Sequence, residues 1–400
     1  MIDLAAVRAE TPGLDDHKIF LDSAGSSLPP NVVTETVIAH LRSEATVGGY
    51  RAANERLAEL DAVKADIATL IGATADTIAL SDSASRSWGD FFYSIPLRPG
   101  DRILISGVDY ASNAIAALQR ARATGATVEH IPSDPTGALN LAALADLLDD
   151  RVRVVSLQHA PTNGGLVNPV AAATELAHKV GALVLLDACQ SIGQLPIDMA
   201  ALGVDAMSAT GRKWLRGPRG TGFLYVRDAT AFEPGRLDLH SAAWVSPTEY
   251  ELAPDATRFE FWESSVAARL GLGAAVRYLL DLGPEQVYAA VADRAAYLRA
   301  RLREVDGVTV RDQGVDNSGI VSFTVAGQDP EALRDRLRDD AVTVTVSHAS
   351  STLLDMSARG LSSVLRASPH YFVSHGDIDR FIAALTEILR CAKSIPPASM

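Results

Sequence analysis

The sequence predicts an α/β protein, with a mostly parallel sheet covered by helices on both faces, followed by a smaller α+β domain. From about residue 55 to 230, short β-branched runs alternate with segments of helical period. After Pro254 the pattern shifts to longer helices with a few strands between them. No low-complexity linker or internal repeat separates the two parts, so they are expected to pack closely.

The strand-like runs of the first part are Arg102–Ile105, Val152–Leu157, Ala182–Leu186 and Gly222–Val226. Between them Leu57, Leu60, Val63, Ile67, Leu70 and Ile71 recur at helical spacing, as do Leu139, Leu141, Leu144 and Leu147. Helical crossovers of this kind build a mostly parallel sheet, whose ligands bind beyond the carboxyl ends of the strands. In the second part the pattern predicts helices over Ser265–Leu282, about Glu285–Val305, Glu331–Arg338 and Asp377–Leu389, and strands over Gly319–Val325 and Val342–Val346. The first of these helices is expected to bridge the two domains. The expected division is an N-terminal segment, 1–20, packed on the small domain, a large domain over 21–255 and a small domain over 256–400.

Composition narrows the function. A length of 400 residues with 48% hydrophobic and 21% charged residues suits a compact enzyme. The net charge of -13 disfavours nucleic acid and anionic membrane surfaces as partners. No apolar run is long enough to span a bilayer, and Met1-Ile2-Asp3-Leu4 lacks the basic start of a signal peptide, so the expected location is cytoplasmic. The two cysteines, Cys189 and Cys391, offer neither a disulfide framework nor metal-ligand spacing, and no metal site is expected. Cys189 is expected to pack as a small apolar side chain.

The chemistry is concentrated in two stretches. Leu185-Leu186-Asp187-Ala188-Cys189-Gln190 places an acid at the end of an apolar strand, and Thr210-Gly211-Arg212-Lys213-Trp214 places a lysine in a glycine-rich turn one unit later. Such a pair can grip opposite ends of pyridoxal phosphate: the lysine bonds to its aldehyde, and the carboxylate keeps the pyridine nitrogen protonated. Lysine is scarce here, occurring only as Lys18, Lys64, Lys179, Lys213 and Lys393, whereas arginine is abundant. Lys213 alone stands in a turn of this kind.

These motifs resemble the class V aminotransferase and cysteine desulfurase group of fold type I pyridoxal phosphate enzymes, over nearly the whole chain. The resemblance implies a large domain with a sheet of the seven-stranded type and a smaller C-terminal domain. It implies that Asp187 meets the pyridine nitrogen, Gln190 the ring hydroxyl, and Lys213 the aldehyde. Ala84 and Ser85, in the serine-rich turn Ser81–Ser87, take the places of the family's phosphate-binding threonines. Thr210 and Arg212 stand at the family's phosphate-contacting serine and histidine positions, and Tyr110 at its ring-stacking histidine. Thr162 stands where relatives have asparagine, with Asn163 beside it. On the substrate side Arg366, in Arg366-Ala367-Ser368-Pro369-His370, matches the family's carboxylate-binding arginine. Ala24 and Gly25 belong to the segment that returns over the active site, while Tyr50, after paired glycines, and His370 are further substrate candidates.

The expected partner is a small amino-acid substrate, and the family resemblance implies a homodimer. In relatives a glycine-threonine pair follows an Arg-Phe-Glu run and reaches the partner's phosphate; here Glu263 stands in the threonine's place after Arg258-Phe259-Glu260, which leaves that contact open. A desulfurase needs a cysteine on a small-domain loop to attack sulfur, and the corresponding stretch Val344–Thr352 has none. The motifs Val47-Gly48-Gly49-Tyr50, Arg212–Gly220 and Ser368-Pro369-His370 look most like hercynylcysteine sulfoxide lyases of ergothioneine biosynthesis, and isopenicillin epimerase-like proteins share parts of them. The expected reaction is therefore β-elimination of a sulfur group from a cysteine conjugate or sulfoxide. An aminotransferase or epimerase would use the same lysine, acid and arginine, and a non-catalytic binding or regulatory protein could keep the fold.

Overall fold

The computed structural model describes residues 2–15 and 17–393, excepting the side chains of 392 and 393. Its strands, in chain order, are β1 (Ile19–Phe20), β2 (Ile78–Ser81), β3 (Arg102–Ser106), β4 (Thr127–Ile131), β5 (Val152–Gln158), β6 (Leu183–Asp187), β7 (Ala206–Thr210), β8 (Gly222–Val226), β9 (Ala242–Ser246) and β10 (Glu249–Leu252). Beyond them lie β11 (Val308–Val310), β12 (Val321–Val325), β13 (Val342–Thr343), β14 (Thr345–His348) and β15 (Ser363–Ala367).

Seven of these form one sheet in the order β2-β8-β7-β6-β5-β3-β4. Only β8 runs against its neighbours, pairing antiparallel with both β7 and β2. The cause is local. Parallel strands need a crossover that packs back on the sheet, and between β7 and β8 the chain makes a turn that holds Lys213 instead. The period-two alternation of the strands separates two cores: Leu104, Val155, Val184 and Leu186 face one side, and Ile103, Ile105, Val154 and Leu185 the other. Trp88, Phe91 and Phe92 of helix Ala84–Ser94 close the second core.

The C-terminal part is an antiparallel sheet in the order β11-β12-β15-β14, backed by helices Pro330–Asp339 and His375–Lys393. The single strand expected over Val342–Val346 is two: β13 pairs with β1, and β14 with β15. Residues near the N-terminus thus join this region, where Arg8 also pairs with Asp377 at 2.9 Å. Helix Val266–Leu282 packs on helices Asn31–Val47 and Leu57–Ile71, and Gly283, at φ +83°, turns the chain into helix Pro284–Arg303. The hairpin β9-β10 carries an apolar outer face that was not read from the sequence; Trp244 on it is 82% exposed. Among the described residues no helix is long and apolar enough to cross a membrane.

Candidate active site

Asp187 is the last residue of β6 and lies at the carboxyl edge of the sheet, almost wholly buried. Its Oδ1 accepts from the Cys189 amide at 2.9 Å and its Oδ2 from Asn113 Nδ2 at 3.0 Å. Asn113 also donates to Asp109 at 3.2 Å, and Asp109 accepts from Ser156 Oγ at 2.8 Å. Burial, aided by the Asp187 charge, pushes the Asp109 carboxyl up to about 7. Asn113 and Asp109 carry no role in the sequence reading. Asp109 precedes the cap Tyr110 and Asn113 lies in the first turn of helix Ala111–Thr124, so the entry into this helix brings the two together.

Lys213 projects from the β7–β8 connection, where a turn closes through the Gly217 amide to Gly211 O at 2.8 Å. Arg216 adopts φ +61° within it, held by bonds to Leu28 O, Tyr371 Oη and Thr11 Oγ1. Burial lowers the Lys213 ammonium below its ordinary range, which favours the neutral nucleophilic amine. Among the described residues it has no hydrogen bond or ion pair. Arg212 donates to Gly25 O and, among the described residues, has no carboxylate partner.

Ser83 caps helix Ala84–Ser94, accepting from the Arg86 amide at 3.3 Å, so that Ala84 and Ser85 stand in its first turn. β8 begins against this turn: a Cβ on Gly222 would lie 2.9 Å from the Ala84 amide nitrogen, so only glycine fits. Gln190 donates to Ala24 O at 3.0 Å and to Thr162 Oγ1 at 3.2 Å, and accepts from Trp214 Nε1 at 3.0 Å.

One cavity gathers Ala84, Ser85, Tyr110, Thr162, Asp187, Gln190, Thr210, Arg212 and Lys213, together with Ser83, Gln158 and Cys189. Gln158 escaped the sequence reading, and its buried Oε1 has no partner among the described residues. Cys189, expected as inert packing, is also in the lining. Burial, then the Asp187 charge, raises its thiol well above the ordinary value and holds it protonated.

Arg366 donates through Nη1 to Thr162 O and Oγ1, both at 2.9 Å, and through Nη2 to Asp22 Oδ1 at 3.0 Å. Ala24 and Gly25 approach through their carbonyls, as described. None of the six substrate candidates is in the lining itself: Arg366, Ala24 and Gly25 are bonded to the lining residues Thr162, Gln190 and Arg212, and the other three are engaged elsewhere. The His370 ring is fully buried, with Nε2 donating to Trp214 O at 3.0 Å and Nδ1 accepting from the Tyr371 amide at 2.9 Å; burial keeps it neutral. Both nitrogens are used, so it braces the Lys213 turn instead. Asn163 is buried and turned onto Asp355 at 2.8 Å. Tyr50 is 78% exposed, its ring 6.5 Å from that of Trp262.

A profile of the class V aminotransferases matches residues 19–381. The chain belongs to that family. Over 97% of both chains it is 31% identical to a protein named probable cysteine desulfurase 2 from Mycobacterium leprae. It is 29% identical to a probable cysteine desulfurase from Mycolicibacterium paratuberculosis, of which it spans 58%. Among solved structures, the Escherichia coli cysteine desulfurase superposes with a TM-score of 0.90 at 24% identity, over 98% of this chain and 99% of that one. A cystine C-S lyase superposes with a TM-score of 0.84 at 24% identity, over 94% and 99%. These likenesses show the fold.

Pyridoxal phosphate is the cofactor of this class V fold, and the residues present fit it. Among the described residues the cavity offers a carboxylate at a strand end, a lysine amine without a partner, an unpaired buried Gln158 oxygen, and a helix start beside an arginine that lacks a counter-ion. The helix start and the arginine suit a phosphate dianion. Among the described residues no cluster could hold a metal ion.

Proposed function

We propose that the protein is a pyridoxal phosphate-dependent carbon–sulfur lyase acting by β-elimination on cysteine S-conjugates or their sulfoxides. One observation carries the choice over desulfuration: no thiol is built to attack substrate sulfur. The small-domain stretch Val344–Thr352 has no cysteine. Cys391 lies on the terminal helix, and Cys189 is buried beside Asp187 with its thiol held protonated.

When bound, the cofactor withdraws electrons from the substrate's α-carbon. Asp187 would hold its ring nitrogen protonated, kept in place by Asn113 and the Cys189 amide. Tyr110 would cover the ring, and Ser83, Ser85, Thr210 and Arg212 would hold the phosphate. Arg366 would orient the α-carboxylate. The Lys213 amine, with its lowered pKa, takes the α-proton and the sulfur group departs from the β-carbon with the electron pair. Hydrolysis of the remaining three-carbon enamine gives pyruvate and ammonia, so the sum is conjugate plus water giving thiol or sulfenate, pyruvate and ammonia.

The resemblance to hercynylcysteine sulfoxide lyases makes cysteine thioether sulfoxides the first substrates to test. A second reading, desulfuration through Cys189, is favoured by its place in the cavity lining and by the names of the relatives. Incubation of wild type and a Cys189→Ala, Cys391→Ala double variant with a panel of cysteine conjugates and sulfoxides decides. Pyruvate in step with released sulfur product, retained in the double variant, supports the lyase. Alanine as product, with a dead double variant and a trapped persulfide, overturns it. A keto-acid requirement or an inverted amino acid would instead mark a transaminase or an epimerase.

We further propose a homodimer, on the family resemblance and on the exposed Trp244, Trp262 and Tyr50. Light scattering giving an active monomer would contradict it.

A further inference from the structure

Arg366 is 5% exposed, and its guanidinium is not free. Nη1 is spent on Thr162, Nη2 donates to Asp22 Oδ1 at 3.0 Å, and Nε is buried and, among the described residues, without a partner. With Nη1 engaged, the edge formed by Nε and Nη2 is the one left to pair with a carboxylate through two parallel bonds. Asp22 holds half of it.

Asp22 reaches this place because residue 25 is glycine. A Cβ there would lie 2.4 Å and 2.5 Å from the two Asp22 carboxylate oxygens. The requirement is one of space, since Gly25 does not have a positive φ. The segment is fixed from both sides. The Ala24 amide donates to Ser368 Oγ at 3.0 Å, while Ala24 O accepts from Gln190 and Gly25 O from Arg212.

We propose that Asp22 is a resident stand-in for the substrate's α-carboxylate, a specificity-determining group that neutralises Arg366 in the unliganded protein and leaves it when an amino acid binds. The inference rests on Arg366 as the carboxylate clamp, but not on which reaction follows. A buried guanidinium without an anion is costly, so the empty site is stabilised by Asp22. Two carboxylates on one guanidinium edge repel, so an incoming carboxylate competes with it. A ligand bringing only a carboxylate exchanges one anion for another and gains little. An amino acid also gains its bond at the cofactor, and it displaces Asp22.

The test uses L-alanine, which has no β leaving group, and methylamine, which has no carboxylate, titrated into wild-type, Asp22→Asn and Gly25→Ala holoenzymes. Binding is read from cofactor absorbance and, independently, by calorimetry. Both variants are expected to bind L-alanine about ten-fold tighter, with methylamine unchanged. Gly25→Ala keeps the carboxylate but drives it off Arg366, which separates displacement from loss of charge. Unchanged or weaker L-alanine binding in a folded Asp22→Asn protein overturns the proposal. Should the variants fail to fold, a wild-type structure with L-alanine decides: Asp22 out of hydrogen-bond range of Arg366 supports it, and Asp22 still bonded to Nη2 overturns it. Failure of the clamp itself has a different signature, an Arg366→Ala protein that binds L-alanine as wild type does. Failure of the lyase reading leaves all these binding results untouched.

Discussion

Asp187 ends β6 with Gln190 just after it, and Arg212 and Lys213 follow its neighbour β7, whereas Arg366 meets Asp22 and Thr162 from three segments far apart in sequence. At the first end, strand order alone brings the chemistry together. At the second, side-chain contacts between the N-terminal segment, the β5–β6 connection and β15 do so. Groups placed by backbone topology should tolerate changes elsewhere and fail only when they are themselves replaced. Groups placed by each other's side chains should respond to one another.

The largest effect is expected at the first end. Lys213→Ala should reduce turnover by about 10³–10⁴-fold, the upper part of the range for a lost proton-transferring group. It should also abolish borohydride fixation of the cofactor to the protein. A reduced adduct mapped by peptide mass spectrometry to Lys18, Lys64 or Lys179 would break the assignment, as would one on Lys393, whose side chain lies outside the described residues.

Next comes the second end. Arg366→Ala should weaken amino-acid binding by roughly 2–5 kcal/mol, because the substrate carboxylate loses its clamp and faces an Asp22 charge left without its partner. Cofactor occupancy, measured by absorbance, should hold. Equal loss of both would make Arg366 a structural tie between domains.

Asp187→Asn should follow, keeping the cofactor but losing about 10²-fold in turnover, as when one preorganised electrostatic partner is removed. The amide retains the Asn113 and Cys189 neighbourhood while losing the charge. Turnover near wild type would place the acid elsewhere.

The same contrast explains what was legible. The sheet, its helices and the Asp187–Lys213 pairing were readable because buried parallel strands give unbroken apolar runs, and a strand end is where a ligand meets them. The split of Val342–Val346 was not, since both halves are equally β-branched and only the partners β1 and β15 divide them. His370 follows an arginine-serine motif on a strand, so a ligand role was a fair expectation. A histidine with both nitrogens satisfied by backbone has the same letters as one facing a substrate. Asp22 was likewise not legible, because its partner Arg366 lies 344 residues away.

The smallest effect sharpens the comparison from inside the first end. Asp109 and Asp187 share the Asn113 amide, and Asp109, pushed up to about 7 from an ordinary value of 3.8, is the one that keeps its proton. Between about pH 4 and 7 the folded protein then binds a proton that the unfolded chain has released. This contribution to stability is full at the acid side of the window and is lost as pH rises toward 7, by at most about 1.4 kcal/mol per pH unit. Glu260, lowered to about 2 by His240, Lys64 and Arg269 against the effect of its burial, works in the opposite sense and only at lower pH. Melting temperatures at pH 5 and pH 8 should therefore differ less in Asp109→Asn than in wild type. The variant cannot titrate at that position, so an identical pH response would mean that Asp109 is ionised throughout, with both carboxylates charged around one amide.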